Sequence, residues 1–131
     1  MTTAFRTAAR LAVLAVTAAL AGGPAWANPN PDLPSPMETV QLPPYCQTQF
    51  TTGQVAIPAA CGAFMNHFCS GLVFLGRAND FAAPKSRRQY AARRAREDIN
   101  YTRDHMAPGC SITGAVQAAD MRLKALEIFL K

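Results

Sequence analysis

PAACGAFMNHFCSGLVFLGRAN, residues 58–79, is the stretch on which the fold turns. Phe64, Phe68, Leu72, Leu75 and Ala78 recur at steps of three and four, and Met65, Cys69 and Val73 widen the stripe. That spacing marks one face of a helix. Pro58 suits a first turn, where its missing N–H has no partner to lose. The spacing therefore predicts a first helix from Pro58 to about Asn79.

Downstream, a second helix is expected from Ser86, as N-cap, to about Met106. Its apolar stripe is Ala91, Ala95, Ile99, Thr102 and Met106, and Tyr90, Arg94 and Tyr101 form a neighbouring one. Pro108-Gly109 stops it. A third helix starts near Ser111 and carries Ile112, Ala115, Val116, Ala119, Leu123, Leu126 and Leu130. A helix with two stripes needs two neighbours, so the second helix is expected between the others. The connections at 81–85 and 107–110 are short, which makes consecutive helices antiparallel. Gly71, Gly76 and Ala78 facing Ala91, Ala92 and Ala95 permit close approach. The expectation is an all-α fold: an antiparallel hairpin plus a third helix over 58–131, tetratricopeptide-like in plan.

Upstream, Pro29, Pro31, Pro34, Pro36, Pro43 and Pro44 predict a Pro-rich arm over 28–57, with extended backbone rather than helix. Thr51-Thr52-Gly53 reads as a turn, and Gln54–Ile57 as the one short strand candidate. Residues 1–27 read as a cleaved secretory signal. Arg6 and Arg10 precede an apolar run, Leu11–Ala21, and Ala25-Trp26-Ala27 offers the small residues of a cleavage site. The mature chain is expected to begin at Asn28, in the periplasm or secreted, with no membrane span after cleavage. It keeps 11 basic and 8 acidic side chains, too small a surplus to argue for nucleic acid.

An even cysteine count in a short exported chain reads as disulfides. Cys61 and Cys69 lie eight residues apart, about 12 Å along a continuous helix. Disulfide Cα atoms sit about 5.5–6 Å apart, so those two cannot pair on such a helix. An antiparallel hairpin brings Cys110 level with Cys61. The expected pairs are Cys61–Cys110 and Cys46–Cys69.

Leu42-Pro43-Pro44-Tyr45-Cys46, Asn66-His67-Phe68-Cys69-Ser70-Gly71-Leu72, Arg77-Ala78 and Asp98-Ile99-Asn100-Tyr101 carry a resemblance. The chain resembles a family of small exported bacterial proteins similar to tetratricopeptide-repeat proteins, with an L-P-P-Y-C and an H-[YF]-C-x-G-L signature. The resemblance lies in patches within 42–108. It departs at Asn66, where members often have His, and at Ser70, where they often have an aromatic residue. It implies a fold and no activity.

Candidate chemistry is sparse. Tyr90 and Tyr101 flanking Arg94 would suit a carboxylate. On the third helix Ile112, Val116, Ala119, Leu123 and Leu126 are expected to pack on the second, while Phe129 and Leu130 lack a covering neighbour; Leu126 and Phe129 are the residues there expected to meet a partner. Met65, His67 and Cys69, with His105 and Met106 nearby, offer soft-metal ligands, but 65, 67 and 69 fall on different sides of a helix. Arg87, Arg88, Arg93, Arg94, Arg96 and Arg103 scatter around the second helix rather than forming one stripe. No paired carboxylates, nucleophile beside a histidine, or Gly-rich phosphate loop points to an enzyme, and no cofactor is implied. The expected function is a protein-binding or scaffold module whose partner is another exported protein or a second copy. A copper-handling protein using His67 and Met65 is the alternative.

Overall fold

A computed structural model describes residues 30–131; the expected signal peptide lies outside them. Five helices follow in order: α1 (Pro36–Thr39), α2 (Pro44–Thr52), α3 (Asn66–Ala78), α4 (Lys85–His105) and α5 (Thr113–Leu130). A single 3-10 turn spans Ala59–Cys61, and no strand occurs among the described residues.

The central hairpin is α3 against α4. Arg88 Nε donates to the Ala78 carbonyl at 3.0 Å where the chain reverses, and His67 meets Asp98 at the far end. Helix α5 returns along α4: Gln89 Nε2 donates to the Leu130 carbonyl, and Arg96 reaches Asp120. Between them Phe68, Ile99, Val116, Leu123 and Thr102 are fully buried. Close approach of α3 and α4 depends on Gly71. A Cβ there would lie 3.0 Å from Ile99 Cγ1 and 3.2 Å from Asp98 Cβ.

The arm is not extended throughout. Pro36 and Pro44 each sit at the start of a helix, the one place where proline costs no hydrogen bond. Ser35 and Glu38 form a reciprocal capping box on α1. Gly53, with φ 74°, ends α2 in the left-handed region, so the turn expected there is present. Gln54–Ile57 forms no strand.

The first helix is also shorter than its stripe suggests. It begins at Asn66, not Pro58. Gly62 has φ 109°, Phe64 has φ 64°, and a Cβ on Gly62 would stand 2.8 Å from the His105 carbonyl oxygen. The Cys61 carbonyl instead accepts a hydrogen bond from Ala107 N at 2.8 Å. Tertiary bonding to the end of α4 thus breaks the helix, and Phe64 leaves the apolar face. Phe74 takes a buried place that the stripe did not assign. At α4, Pro84 rather than Ser86 is the N-cap.

Disulfides join Cys46 to Cys69 and Cys61 to Cys110, with Cα–Cα distances of 5.2 and 4.5 Å. The expected pairing holds, although its premise of a continuous helix does not. The first ties α2 to α3, and the second ties the 3-10 turn to the α4–α5 connection. Closing loops of these lengths removes unfolded-state entropy worth about 3–4 kcal/mol each.

Candidate functional site

Two surfaces hold the residues of interest. The first is the outer side of the α3–α4 hairpin. His67 Nδ1 lies 2.8 Å from Asp98 Oδ1, and Asp98 is buried. Its second oxygen, Oδ2, has no hydrogen-bond partner. Tyr101 stacks on His105 with ring centroids 4.1 Å apart, and His67 lies 4.3 Å from the same ring. Phe64, 61% exposed, meets Tyr101 edge-on at 6.3 Å. Four rings therefore cluster at one end of the hairpin.

At the other end Tyr90 packs edge-on against Phe74 at 6.4 Å, and the Arg94 guanidinium lies 5.1 Å over the same ring. Arg77 covers it too, at 5.4 Å. Tyr101 is seven residues beyond Arg94, about 10 Å along the axis, and belongs to the histidine cluster. The structure thus separates the two tyrosines expected to flank Arg94, and no two-ring carboxylate clamp forms. The nearest acid to Arg94 Nε is Glu97, at 3.8 Å. That is proximity without a hydrogen bond, since Nε has no partner. The expected second buried stripe is also revised, because Tyr90 is exposed and Arg94 and Tyr101 are only half-buried.

The soft-metal ligands do not converge. Met65 is in the core, Cys69 sulfur is in a disulfide, and His67 Nδ1 is engaged by Asp98. No group of three or more His, Cys, Asp or Glu side chains suited to a metal ion occurs among the described residues.

The second surface is the outward side of α5. Leu126, 7% exposed, packs in the core as its stripe predicts and is therefore closed to a partner, and Leu130, expected to be uncovered, is 4% exposed and also in the core. Helix α5 lies close enough along α4 to cover them without a fourth helix. Phe129, by contrast, is 79% exposed, as expected. Beside it runs a stripe that the sequence reading missed: Gly114, Ala118, Met121, Ala125 and Ile128, all exposed. The steps are four, three, four and three, the heptad spacing of a helix-packing seam. Met121 is 64% and Ile128 69% exposed. The signal was present in the sequence, two residues out of phase with the buried stripe, on the opposite side of the same helix.

The electrostatics of α5 are lopsided. Arg96 makes a forked contact with Glu127, Nε to Oε1 at 3.0 Å and Nη2 to Oε2 at 2.6 Å, and reaches Asp120 Oδ1 at 2.8 Å. Lys124 Nζ lies 2.6 Å from Asp120 Oδ2. The Lys124 hydrogen bond, opposed by burial and aided by Arg96, holds the Asp120 carboxyl below its ordinary value. The Glu127 contact raises Arg96. Asp120 thus bridges Arg96 of α4 and Lys124 of its own helix, and Glu127 is forked to Arg96, so both acids of α5 are engaged in ion pairs.

A cleft of about 710 Å³ opens between the arm and the α3 and α5 helices. Leu42, Pro43, Leu72 and Gly76 line it with Arg77 and Arg122. No helix of the described residues is long and apolar enough to cross a membrane. Of the family models, curated proteins and solved structures compared with this chain, none matches it.

Proposed function

We propose that this chain is an exported, disulfide-stapled protein-binding module that engages its partner through the outward face of α5. One observation carries the reading: the apolar seam Gly114, Ala118, Met121, Ala125 and Ile128, with Phe129 at its edge, stands in water. Contiguous apolar surface of this kind marks interaction sites on folded proteins. Heptad spacing adds that the surface is shaped for another helix. Two disulfides agree with an oxidising, extracytoplasmic setting. The seam replaces Leu126 in the earlier expectation and retains Phe129.

Substitution of the seam tests the proposal. Met121→Asp and Ile128→Asp point charges into water in the free protein, so helical content and both disulfides are expected to survive. Partner association, read by co-purification from envelope extract, is expected to fall by at least tenfold in each variant. Tyr90→Ala serves as the control on the other surface. Unchanged association in the two seam variants, or loss only with Tyr90→Ala, would refute the assignment.

A further inference from the structure

We propose that the cleft between the arm and helices α3 and α5 binds a short apolar peptide with free termini, its carboxylate on Arg122 and its amine on Asp80. This site is separate from the α5 seam and does not depend on it. Space, the placement of one glycine and uncommitted charge each point to such a ligand.

The cleft holds about 710 Å³, within the range of about 300–1,000 Å³ usual for sites that enclose small ligands. Its apolar wall is Leu42 and Pro43 from the arm with Leu72 and Leu75 from α3. The arm side is fixed before any ligand arrives. Cys46, three residues past Pro43, is bonded to Cys69 of α3, and Arg77 holds Glu38 through both Nε and Nη2. A wall already ordered loses little entropy on binding.

Gly76 lines the same cleft, two residues before the end of α3. Glycine inside a helix is unfavourable relative to alanine, so its presence calls for a reason. Gly71 has one in the close approach of Ile99 and Asp98. Gly76 has no such neighbour: a Cβ there would meet nothing within 4 Å, and its φ is not positive. The missing side chain leaves room in the cleft against the helix backbone. Leu72 lies one turn before it on the same face, and Asp80 stands just past the helix end.

Four charged side chains line the cleft. Arg77 and Glu38 are engaged with each other, and Arg77 also donates to the carbonyls of Pro31 and Leu33. Arg122 and Asp80 make no ion pair among the described residues. Asp80 gives only Oδ1, to Ala82 N at 3.0 Å. The cleft therefore offers one unneutralised cation and one unneutralised anion beside an apolar wall. A fatty acid would satisfy Arg122 but bring a like charge toward Asp80. A peptide with free termini carries one charge of each sign on an apolar body, which matches both groups. Its carboxylate suits the forked contact that a guanidinium makes.

Calorimetric titration of the full chain with trileucine tests the proposal. Saturable one-to-one binding is expected. Acetylating the amine or amidating the carboxylate should each weaken it at least tenfold, and leucine and octanoate should each bind at least tenfold more weakly than trileucine. Asp80→Asn is expected to erase the preference for a free amine, and Arg122→Gln the preference for a free carboxylate, each leaving the other preference in place. Gly76→Leu, which fills the cleft without meeting a neighbour, is expected to abolish binding with no loss of thermal stability. Ile128→Asp on α5 is expected to bind trileucine unchanged, so the cleft and the seam stand or fall separately. No saturable binding, equal binding of the blocked peptides, octanoate as tight as trileucine, or undiminished binding by Gly76→Leu would each overturn the inference.

Discussion

Arg77 holds the arm at several points: it donates to the carbonyls of Pro31 and Leu33, and its Nε lies 2.5 Å from Glu38 Oε1. Burial alone would raise the Glu38 carboxyl, but hydrogen bonds from Arg77 and Ser35 outweigh it and hold the group at about 2, against an ordinary 4.5. A depressed carboxyl stabilises the fold fully above its unfolded value and loses that contribution as pH falls through its folded value. The latch should therefore be intact above about pH 4.5 and gone near pH 2. Solvent screening limits its worth to about 1 kcal/mol. Glu38→Gln is expected to flatten the pH dependence of stability in that window, measured by urea unfolding. His67 plays a comparable part for a buried acid. Removing it leaves Asp98 with neither oxygen bonded to a side chain, a loss of about 2 kcal/mol. His67→Ala and Asp98→Ala should then cost less together than the sum of their separate effects, which a double-mutant cycle reads directly. Neither contact was legible in the sequence, because residues 31 and 39 positions apart meet only once the fold exists.

Helices α4 and α5 were legible because long apolar periodicity and a Pro-Gly stop outweigh local accidents. The start of α3 was not. The stripe through Phe64 and Met65 continues across Gly62, and only the hydrogen bond from Ala107 to Cys61 reveals why the chain turns there. The short arm helices were hidden for a different reason: proline was read as a breaker, yet at a first turn it is a starter. The glycines of α3 divide along similar lines. Gly71 faces Asp98 and Ile99 at distances that leave little room for a methyl group, whereas nothing lies within 4 Å of a Cβ on Gly76. Gly71→Val is expected to destabilise by about 2 kcal/mol through overpacking. Gly76→Ala is expected to stabilise by about 0.5–1 kcal/mol through helix propensity. Thermal unfolding of the pair checks both signs.

Residues 30–131 form a hairpin whose open end is stapled by both disulfides, with α5 laid along α4 and presenting an apolar seam to water. The cysteine pairing was readable because the antiparallel topology alone brings Cys110 to Cys61. The proposed partner face was half readable. Phe129 was identified, but Leu130 was assigned outward because coverage by α4 depends on how closely α5 seats, which no single-helix pattern reveals. The seam itself was overlooked beside the stronger buried stripe. Its proposed role is tested most directly by placing a photo-crosslinking amino acid in turn at residues 114–129. The yield of one defined partner adduct is expected to peak at 118, 121, 125 and 128 and to fall between them, tracing the outward face. A flat profile along α5, or adducts only from positions 90, 94 and 101 on the hairpin's outer side, would contradict the account.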